Sequence, residues 1–575
     1  MWKKRNVASM DELMQSRPGA TYELHDYRQM SPRDLPEIIN LRSIAESLTN
    51  SLLDNRIVLV CDYDTDGIMS GGIMLKALNF LAAEAARVQG GTASDISLIV
   101  PDRFRDGYGF QPRHAEEIHP GSIIILLDNG ISQHDAIRAA RENGSAVYIV
   151  DHHLPGSSLP DADRIINPWV FPGEFQEYCA AGLCYRLVRE MLDADWVRDN
   201  VAPELVQAAR DEFLFMAAVA TVADIVPILN ENRIIVREGL RYIPSFWKKA
   251  VCCLCDEDKD FLTEEDVSFR VSPAVNSVGR LGKLNSEWIQ EFFLDGAERR
   301  AELAKELYAL NEERKRLTAQ AQDAAEEILR SDPEPDAPAF IVQSECFHPG
   351  IVGIVAGRLS DARSRPVFVF GPEANGELTG SGRSKDNPVN LRELLDYVNA
   401  STDAILRYGG HRSAAGVTIR ADRLDAFIQA AKEYAFSLED AYEQPDQYYD
   451  FILDEKDDWF RVYQDIRRYA PFGEGNPEPV FMCRFTPVPG YCKVMCRDHF
   501  KVRNLADQDA VGFGLLPKYK EVEKSSAFRF YGSLTPNRYC GGLYIQFLVR
   551  DLESADDPPA ENRTQTRLQS LMDAI

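Results

Sequence analysis

Short aliphatic runs alternate with longer helical stretches between about residues 56 and 240. The runs RIVLVC (56–61), SLIV (97–100), SIIILLD (122–128) and AVYIV (146–150) are typical of strands, and MLKALNFLAAEAARV (74–88) is typical of a helix. This alternation predicts βαβ units and a parallel sheet. The chain has no run of about 18 apolar residues, so we expect no membrane-spanning segment.

The pattern changes twice further along the chain. Residues 297–331 are rich in Ala, Glu, Leu, Arg and Lys without Gly or Pro, which predicts one long connecting helix before the linker SDPEPDAP. A second α/β segment follows from about 338 to 436, with AFIV and PVFVF as strands and GSGRS and YGGHRSAAG as glycine-rich loops. Residues 450–553 contain many short alternating strands separated by turn residues, which predicts a small all-β barrel or sandwich.

These patterns divide the 575 residues into six segments. We place an N-terminal segment that packs on the first α/β domain at 1–49, the first α/β domain at 50–295, the connecting helix and linker at 296–335, the second α/β domain at 336–445, the all-β domain at 446–555 and a poorly ordered tail at 556–575.

Composition narrows the functional classes. The 64 Lys and Arg residues against 90 Asp and Glu residues give a net charge of −26, which excludes a protein that coats nucleic acid through one large basic surface. Any nucleic-acid site must therefore be local or assisted by a metal ion. The segment MWKKRNVASMDELMQ lacks the apolar stretch of a signal peptide, and eleven scattered cysteines fit reduced thiols, so we expect a cytoplasmic protein.

A cluster of carboxylates follows the first predicted strand. Asp62, Asp64 and Asp66 lie within five residues at the carboxyl end of a parallel strand, where open α/β sheets bind ligands. Carboxylates so close repel one another unless a cation neutralises them, so we expect a hard divalent metal ion, with a solvated acidic turn as the alternative. An EF-hand loop would have Glu in place of Ile73, and a haloacid-dehalogenase-like nucleophile motif would have Thr or Val in place of Asp66.

Two further strand ends and one apolar stretch supply more ligand types. Asp128 follows SIIILL, and Asp151, His152 and His153 follow AVYIV, so these groups should reach the same edge of the sheet. Neutral imidazole beside carboxylates suits manganese, iron or zinc better than magnesium or calcium. Asp224 lies in FLFMAAVATVADIVPI, where an unpaired carboxylate would be costly to bury, so we expect it to join the same metal centre.

The two glycine-rich segments suit phosphate binding. Glycine permits close backbone approach, and the Arg383 guanidinium next to the Ser381 and Ser384 hydroxyls can bind phosphate through charge-assisted hydrogen bonds. The segment GGHRSAAG combines tight glycines with the imidazole of His411. An ordinary turn with an exposed arginine is the alternative interpretation.

Several of these segments, taken in order, resemble a known superfamily. DYDTDG, LLDNG, DHH and ATVADIVP are similar to the four ordered motifs of the DHH phosphoesterases, and HPGIVGIVAGRL, GSGRS and GGHRSAAG resemble their DHH-associated domain. PFGEGNPEPVF resembles a segment found before the OB-fold of RecJ-type exonucleases. The resemblance covers about residues 50 to 550. It implies a parallel-sheet DHH domain, a long connecting helix, a second α/β DHH-associated domain and a C-terminal all-β OB-fold.

The resemblance also implies roles for single residues. In this superfamily two manganese-type ions, with magnesium as an alternative, lie about 3.5 to 4 Å apart and share a bridging carboxylate. By motif position, Asp62 and Asp64 would hold one ion and Asp66, His152 and Asp224 the other, while Asp128 would bridge them as a catalytic residue. His153 would contact the scissile phosphate or assist the leaving group, and Asp151 would orient the histidines. Many members begin the first motif with His, and this chain has none there.

Substrate contacts are implied in the same way. The terminal phosphate and nearby nucleotides would be bound by Arg280, Ser381, Arg383 and His411, with Asn276 and His348 as secondary candidates. The OB-fold would guide single strands by a positive groove and aromatic stacking, for which the chain offers Phe500, Lys501, Arg503, Phe528, Arg529, Tyr531 and Tyr544.

The implied function is degradation of single-stranded DNA from 5′ to 3′ into 5′-mononucleotides, in recombination and mismatch repair. We expect a monomer that works with a single-strand-binding protein and a RecQ-type helicase. Two other classes stay open: a phosphodiesterase of short oligoribonucleotides or cyclic dinucleotides, and a non-catalytic single-strand-binding scaffold. The extra β-domain argues against the first, and the presence of all the expected ligand residues argues against the second.

Overall fold

The computed structural model describes residues 2–24, 26–331, 334, 336–373, 376–385, 388–438, 446–495, 498–539 and 542–556. The chain forms two compact units. The smaller contains residues 2–27, 225–237 and 446–556, and the larger contains 28–224 and 238–438. The predicted tail lies outside the described residues from 557 onward.

The chain begins in the smaller unit with β1 (Trp2–Lys4) and α1 (Met10–Gln15). The larger unit then opens with a five-stranded parallel sheet. Its strands are β2 (Arg56–Cys61), β3 (Asp95–Ile99), β4 (Ile123–Leu127), β5 (Ala146–Val150) and β6 (Arg164–Ile166), in the order β3-β2-β4-β5-β6. The parallel sheet is confirmed. Residues 57–61, 124–127 and 147–150 are buried, as expected for a sheet covered on both faces. Only the three-residue β6 was not predicted.

Helices surround this sheet. They are α2 (Leu41–Asn50), α3 (Thr65–Gln89), α4 (Pro112–Glu117), α5 (His134–Glu142), α6 (Ala180–Leu192), α7 (Asp195–Asn200), α8 (Pro203–Ala223), α10 (Lys248–Cys255), α11 (Glu264–Asp266), α12 (Ser272–Arg280) and α13 (Ser286–Leu294), with a 3₁₀ turn at Pro32–Asp34 and a π turn at Val267–Val271. Helix α9 (Asn230–Leu240) crosses the boundary between the units. Among the described helices, α3 is long and apolar enough to cross a membrane, and 72% of its most apolar window is buried within the fold.

The second α/β domain has a five-stranded mixed sheet. Its strands are β7 (Phe340–Gln343), β8 (Val367–Pro372), β9 (Glu377–Arg383), β10 (Ile405–Gly410) and β11 (Ala414–Arg420), in the order β10-β11-β9-β8-β7, with α15 (Val352–Arg363), α16 (Leu391–Ser401), a 3₁₀ turn at Ala421–Arg423 and α17 (Leu424–Phe436). Only β7 and β8 pair in parallel.

The prediction that GSGRS forms a loop was wrong, because most of this segment belongs to the central strand β9. Its glycines have a packing role. A Cβ at Gly380 would lie 2.4 Å from the Phe370 ring, and one at Gly382 would lie 2.5 Å from the Phe368 ring. The alternation of a strand therefore turns these glycines to the core and sends Ser381 and Arg383 to the opposite face.

Helix α14 (Ala297–Arg330) confirms the predicted long connecting helix, and its two halves lie in different cores. In the first half, Leu303 and Leu307 are buried, and the Leu307 carbonyl accepts a hydrogen bond from the Ser277 hydroxyl at 3.5 Å. In the second half, Ala325 and Leu329 pack in a cluster with Phe340 of the second domain. One continuous helix therefore joins the two α/β domains of the larger unit.

The C-terminal part of the smaller unit is mainly β, as predicted, and contains two helices that the sequence analysis did not predict. A seven-stranded sheet has the order β13-β14-β18-β19-β17-β16-β15. The elements are β12 (Gln447–Tyr449), β13 (Phe451–Leu453), α18 (Trp459–Arg467), β14 (Phe481–Phe485), β15 (Pro487–Met495), β16 (His499–Asn504), β17 (Asp509–Gly512), α19 (Leu516–Val522), β18 (Phe528–Tyr539) and β19 (Gly542–Ser554).

The N-terminal segment is divided between the two units, whereas the sequence placed all of residues 1–49 on the first α/β domain. Strand β1 pairs in parallel with β12. The Trp2 ring stacks on Tyr531 with the centroids 4.5 Å apart, and its Nε1 donates a hydrogen bond to Asp551 at 2.8 Å. Residues 28–49, which include most of α2, belong to the larger unit. The other boundaries drawn from the sequence stay predictions.

The packing of β9 gives a stability prediction. We expect Gly382→Ala to destabilise the second α/β domain by about 1–3 kcal/mol, because the new methyl group collides with the Phe368 ring. Gly416→Ala is the matched control, since a Cβ there meets nothing within 4 Å. Thermal unfolding followed by circular dichroism checks this, and equal midpoints for the two variants would contradict it.

Candidate active site

Three acidic residues follow three neighbouring strands of the parallel sheet. Asp62, Asp128 and Asp151 come directly after β2, β4 and β5, and β4 lies between the other two strands. Because parallel strands end at the same edge of the sheet, these side chains meet there. All three are buried, with at most 4% of each residue exposed.

The first motif is a helix start rather than a free acidic loop. The Asp64 carboxylate caps α3 by accepting a hydrogen bond from the Gly67 N–H at 3.1 Å. Asp66 lies in the first turn of α3, and its two oxygens accept hydrogen bonds at 2.7 and 2.8 Å from the N–H groups of Ala180 and Ala181, where α6 begins. Backbone donors therefore fix both carboxylates before any cation binds.

Asp128 has an unusual backbone conformation with φ of +61°, in the left-handed region that few residues other than Gly, Asn and Asp adopt. The adjacent Asn129 side chain donates hydrogen bonds to the carbonyls of Val60 at 3.1 Å and Leu127 at 2.8 Å. The Tyr108 hydroxyl donates to the Asp128 carbonyl at 2.9 Å. These contacts hold the turn in a shape that turns the Asp128 carboxylate into the cluster.

Asp151 organises the histidine turn. Its Oδ1 accepts hydrogen bonds from the backbone N–H groups of His152 and His153 and from His153 Nδ1, the last at 2.8 Å. Its Oδ2 accepts one from the Ile131 N–H at 3.1 Å. Both Asp151 oxygens therefore accept hydrogen bonds, and those to Oδ1 hold the turn that carries the two histidines. The orienting role expected for Asp151 stays a prediction.

The side chains form three groups in which the ligand atoms lie within 4.8 Å of one another. The groups are Asp62, Asp64 and Asp128; Asp66, His152 and Asp224; and Asp128, His152 and His153. His152 Nε2 lies 3.3 Å from Asp128 Oδ1, 3.6 Å from Asp224 Oδ2 and 3.8 Å from Asp66 Oδ2. Asp224 is the residue that caps the carboxyl end of α8, and its side chain joins the second group from there.

This donor set fits divalent cations. Oxygen and imidazole nitrogen ligands suit such ions, and the buried Oδ1 atoms of Asp62 and Asp128 have no hydrogen-bond partner among the described residues. Burial, followed by repulsion from neighbouring carboxylates, raises the pKa of Asp62 and Asp128 well above the ordinary value, and raises that of Asp224 to about 9. The carboxylates therefore carry their full charge only when a cation neutralises them.

The two histidines differ in charge. Burial lowers the pKa of His152, so its imidazole is neutral and keeps a lone pair for a cation. Burial also opposes a charge on His153, but the hydrogen bond to Asp151 and the charges of Asp151, Asp224 and Asp62 raise its pKa to about 9. His153 also has the more exposed side chain, 40% against 14% for His152. It is thus the member of the pair that can present a proton to a bound anion.

A cluster of arginines lies beside the acidic centre. Burial, followed by the positive charges of Arg103, Arg314 and Arg383, lowers the pKa of Arg280 to about 10. Arg358 lowers the pKa of Arg314 in the same way, after burial. In the described part of the chain, none of these five arginines forms an ion pair with a carboxylate. Arg314 is buried, Arg103, Arg280 and Arg383 are half-buried, and Arg358 is exposed. Positive charges withdrawn from water without counter-ions are typical of an anion-binding site.

The first turn of α15 and the Ser381 hydroxyl lie next to Arg383 of this cluster. A Cβ at Gly353, in the first turn of α15, would lie 3.0 Å from Arg383 Nη2 and 3.1 Å from Ser381 Oγ. Arg383 Nη1 donates to Ser381 Oγ at 2.7 Å. The amino end of a twelve-residue helix, an arginine and a hydroxyl together suit a phosphate group.

The structure places the remaining candidates in different surroundings. Asn276 Oδ1 accepts hydrogen bonds from the Thr65 N–H at 2.8 Å and the Thr65 hydroxyl at 2.9 Å, so it supports the first motif. His348 Nδ1 accepts one from the Gly350 N–H at 3.1 Å. His411 is exposed in the tight connection between β10 and β11. Substrate binding by these three stays a prediction.

Sequence reasoning missed several residues of the site. Arg103 lies over the Tyr63 ring, with its Cζ 5.2 Å from the centroid, and Tyr108 contacts both Asp128 and the His153 ring. Arg103 and Tyr108 lie in the loop after β3, which ends at the same sheet edge as the acidic motifs, so the strand rule could have found them. Arg314 and Arg358 lie inside helices with no local signal.

A parallel sheet with acids and histidines at its carboxyl edge, joined by a long helix to an arginine-bearing α/β domain, defines a phosphoesterase of the DHH class. Family models agree with this. The DHH family N-terminal domain matches residues 56–209, the DHHA1 domain matches 337–436 and the RecJ OB domain matches 449–551.

Relatives make the assignment more specific. The single-stranded-DNA-specific exonuclease RecJ of Salmonella typhimurium is 31% identical over 507 residues, covering 84% of this chain and 82% of that protein. The RecJ of Escherichia coli is also 31% identical, covering 84% and 82%. A crystal structure of RecJ from Thermus thermophilus in complex with Mn²⁺ matches with a TM-score of 0.72 at 27% identity, covering 91% of this chain and 72% of that one. The chain belongs to the RecJ family of single-stranded-DNA-specific exonucleases.

The raised carboxyl pKa values give a prediction for the cation-free protein. A carboxyl group whose pKa is raised by folding makes the protein less stable as the pH rises from the unfolded-state pKa, about 3.9, to the folded-state pKa. With EDTA we therefore expect stability to fall from about pH 4 to about pH 9, because the pKa of Asp224 is raised to about 9 and that of Asp128 is also raised.

The Asp128→Asn variant should lose less stability over this pH range. At pH 8 in EDTA it should be about 1–3 kcal/mol more stable than the wild type, because one buried charge is absent. Asn also accepts the positive φ at this position. Added Mn²⁺ should reverse the order by stabilising the wild type more. Thermal unfolding of both proteins checks this, and a wild type insensitive to pH in EDTA would contradict it.

Proposed function

We propose that this protein is an exodeoxyribonuclease that hydrolyses single-stranded DNA with the help of divalent cations. The observation that carries the proposal is that a negatively charged site and a positively charged site lie next to each other in the larger unit. Carboxylates and imidazoles gather at the sheet edge, and five arginines without carboxylate partners lie beside them among the described residues. A cation-dependent centre next to a phosphate site is the arrangement that phosphodiester hydrolysis needs.

Two cations fit the centre better than one. Asp62, Asp64 and Asp128 would hold the first, while Asp66, His152 and Asp224 would hold the second, with Asp128 close to both through its 3.3 Å approach to His152. The relatives described as complexes with Mn²⁺ and Mg²⁺ support these two metals, and the imidazole ligand favours manganese. Bound cations would polarise the phosphoryl group and lower the pKa of an attacking water molecule.

The protein's own groups would bind and orient the strand. Arg280, Arg383 and Arg103, with Ser381, would hold the terminal phosphate through charge-assisted hydrogen bonds. His153 would present its Nε2 proton to the scissile phosphate or to the leaving oxygen, since Nδ1 is engaged by Asp151 at 2.8 Å. Asp151 would keep that imidazole in the tautomer and orientation that the proton transfer requires.

The OB domain would add contacts to single-stranded DNA. Phe500 and Phe528 are fully buried in its core and are unsuited to stacking on bases. Lys501 and Arg503 alternate with core residues along β16, and Tyr544 is 59% exposed on β19, so these side chains are the better candidates. Arg503 also lies 5.4 Å from the Tyr491 ring centroid, but Arg503 and Lys501 both pair with Asp509 at 2.7 Å, so a DNA phosphate would have to compete with this carboxylate.

Direction and biological setting rest on the family resemblance. We infer digestion from 5′ to 3′ with release of 5′-mononucleotides, in recombination and mismatch repair. A single-strand-binding protein and a RecQ-type helicase are the expected partners of a monomeric enzyme.

The proposal is tested by digestion of a single-stranded oligodeoxynucleotide labelled at its 5′ or 3′ end, with Mn²⁺ present. We expect immediate release of a labelled mononucleotide from the 5′ end, none from blunt duplex and none with Asp128→Asn. Cleavage of dinucleotides or cyclic dinucleotides while long strands survive would favour the small-substrate phosphodiesterase. Binding without any cleavage would favour the scaffold.

Arg103 gives a second test, because the sequence did not single it out. We expect Arg103→Ala to raise KM for 5′-phosphorylated strands about tenfold, the size of one charge-assisted hydrogen bond, with a smaller effect on 5′-hydroxyl strands. Arg105→Ala is the matched control, because Arg105 pairs with Asp106 and its side chain is 71% exposed. Equal effects of the two variants would place the phosphate elsewhere.

A further inference from the structure

Two aromatic rings meet between the α/β domains of the larger unit, next to the arginine cluster. Phe104, from the loop after β3, meets the ring of His348, from the loop before α15, edge to face with centroids 5.7 Å apart and planes at 84°. Phe104 directly follows Arg103 in the chain, and the Arg103 charge acts on His348. The pair therefore adjoins the positively charged region, and the Glu313 carboxylate acts on His348 with the opposite, weaker effect.

The backbone closes around this pair. A Cβ at Gly350, two residues after His348, would lie 1.9 Å from the Arg280 carbonyl, so the two domains touch there through main chain. Arg280 Nη1 donates to the Gly350 carbonyl at 3.4 Å. Gly282 lies under the Phe104 ring, because a Cβ there would be 3.2 Å away from it. Phe104 is nevertheless 42% exposed, so the core of its own domain does not account for its position.

We propose that the Phe104–His348 pair is the stop that makes the enzyme act on strand ends. This rests on the proposed function. The arginine cluster alone gives incomplete selection, because an internal phosphodiester also carries negative charge and could bind there. An internal site can reach the catalytic centre only if the chain continues past the arginines. The paired rings and the Gly350–Arg280 backbone contact block that continuation, so a terminal nucleotide fits and an internal one does not.

The position of the stop also sets the product length. With the terminal phosphate held by arginines next to the rings, the first phosphodiester bond is the one presented to the acidic centre. Removal of the rings should let the strand slide further before cleavage. Products of two or more nucleotides should then appear beside mononucleotides.

The experiment compares circular single-stranded DNA, which has no ends, with the same molecule after linearisation, with Mn²⁺ in both reactions. Wild-type protein should digest the linear strand and leave the circle intact. The double variant Phe104→Ala with His348→Ala should nick the circle. It should also release labelled oligonucleotides of two or more residues from the linear strand. Phe104→Leu should show the same changes more weakly, which keeps the test valid if the double variant does not fold.

Phe436→Ala is the control, because Phe436 is 66% exposed at the end of α17 and has no place in the proposed machinery. It should behave as the wild type. If folded ring variants release only mononucleotides and spare the circle, the pair is not the stop. If wild-type protein itself leaves the linear strand undigested, the proposed function fails, which is a different result from failure of the stop.

Discussion

The structure depends on the repulsion among carboxylates gathered at one edge of a buried sheet. Asp62, Asp66 and Asp128 are at most 4% exposed, and burial together with mutual charge raises their pKa values. Such a group repels itself, so the fold holds its members in place. Backbone N–H groups at the start of α6 donate hydrogen bonds to Asp66, and Asp128 lies in a turn with left-handed backbone conformation. The burial and the charge together favour the binding of cations, and backbone hydrogen bonds already hold Asp66 in place for it.

The positive half of the site is assembled differently. Its arginines come from the loop after β3, the end of α12, the body of α14, α15 and β9, which are elements of both α/β domains. Helix α14 has residues in both cores, so the packing that stabilises each domain also fixes the distance between the acidic centre and the arginines. Local placement of a few arginines would let a chain with a net charge of −26 bind a polyanion.

Much of the fold could be predicted from sequence because its signals are local. Buried parallel strands produce unbroken aliphatic runs, and α14 has helix formers without Gly or Pro over its whole length. The errors have a shared cause. GSGRS has the composition of a loop, yet its glycines make room for Phe368 and Phe370 in the neighbouring strand, which is a tertiary requirement. The N-terminal residues gave no local sign that β1 would pair with β12, some 440 residues away.

The sequence by itself indicated the acidic centre, because each candidate ligand lies within five residues of a strand end or in an apolar stretch where a charge needs a partner. The parallel-sheet rule then brings Asp62, Asp128 and Asp151 to one edge without further knowledge of the structure. Only the tertiary structure decided which further arginines join Arg280 and Arg383, the phosphate-binding candidates named from the sequence. Arg103, Arg314 and Arg383 lie close enough to Arg280 to lower its pKa, and Arg358 acts on Arg314 in the same way, because the two domains pack together. The contact between Phe104 and His348 arises there as well. The physical reason is that a strand end has a fixed position within its own sheet, whereas side chains on two separate domains become neighbours only when those domains pack.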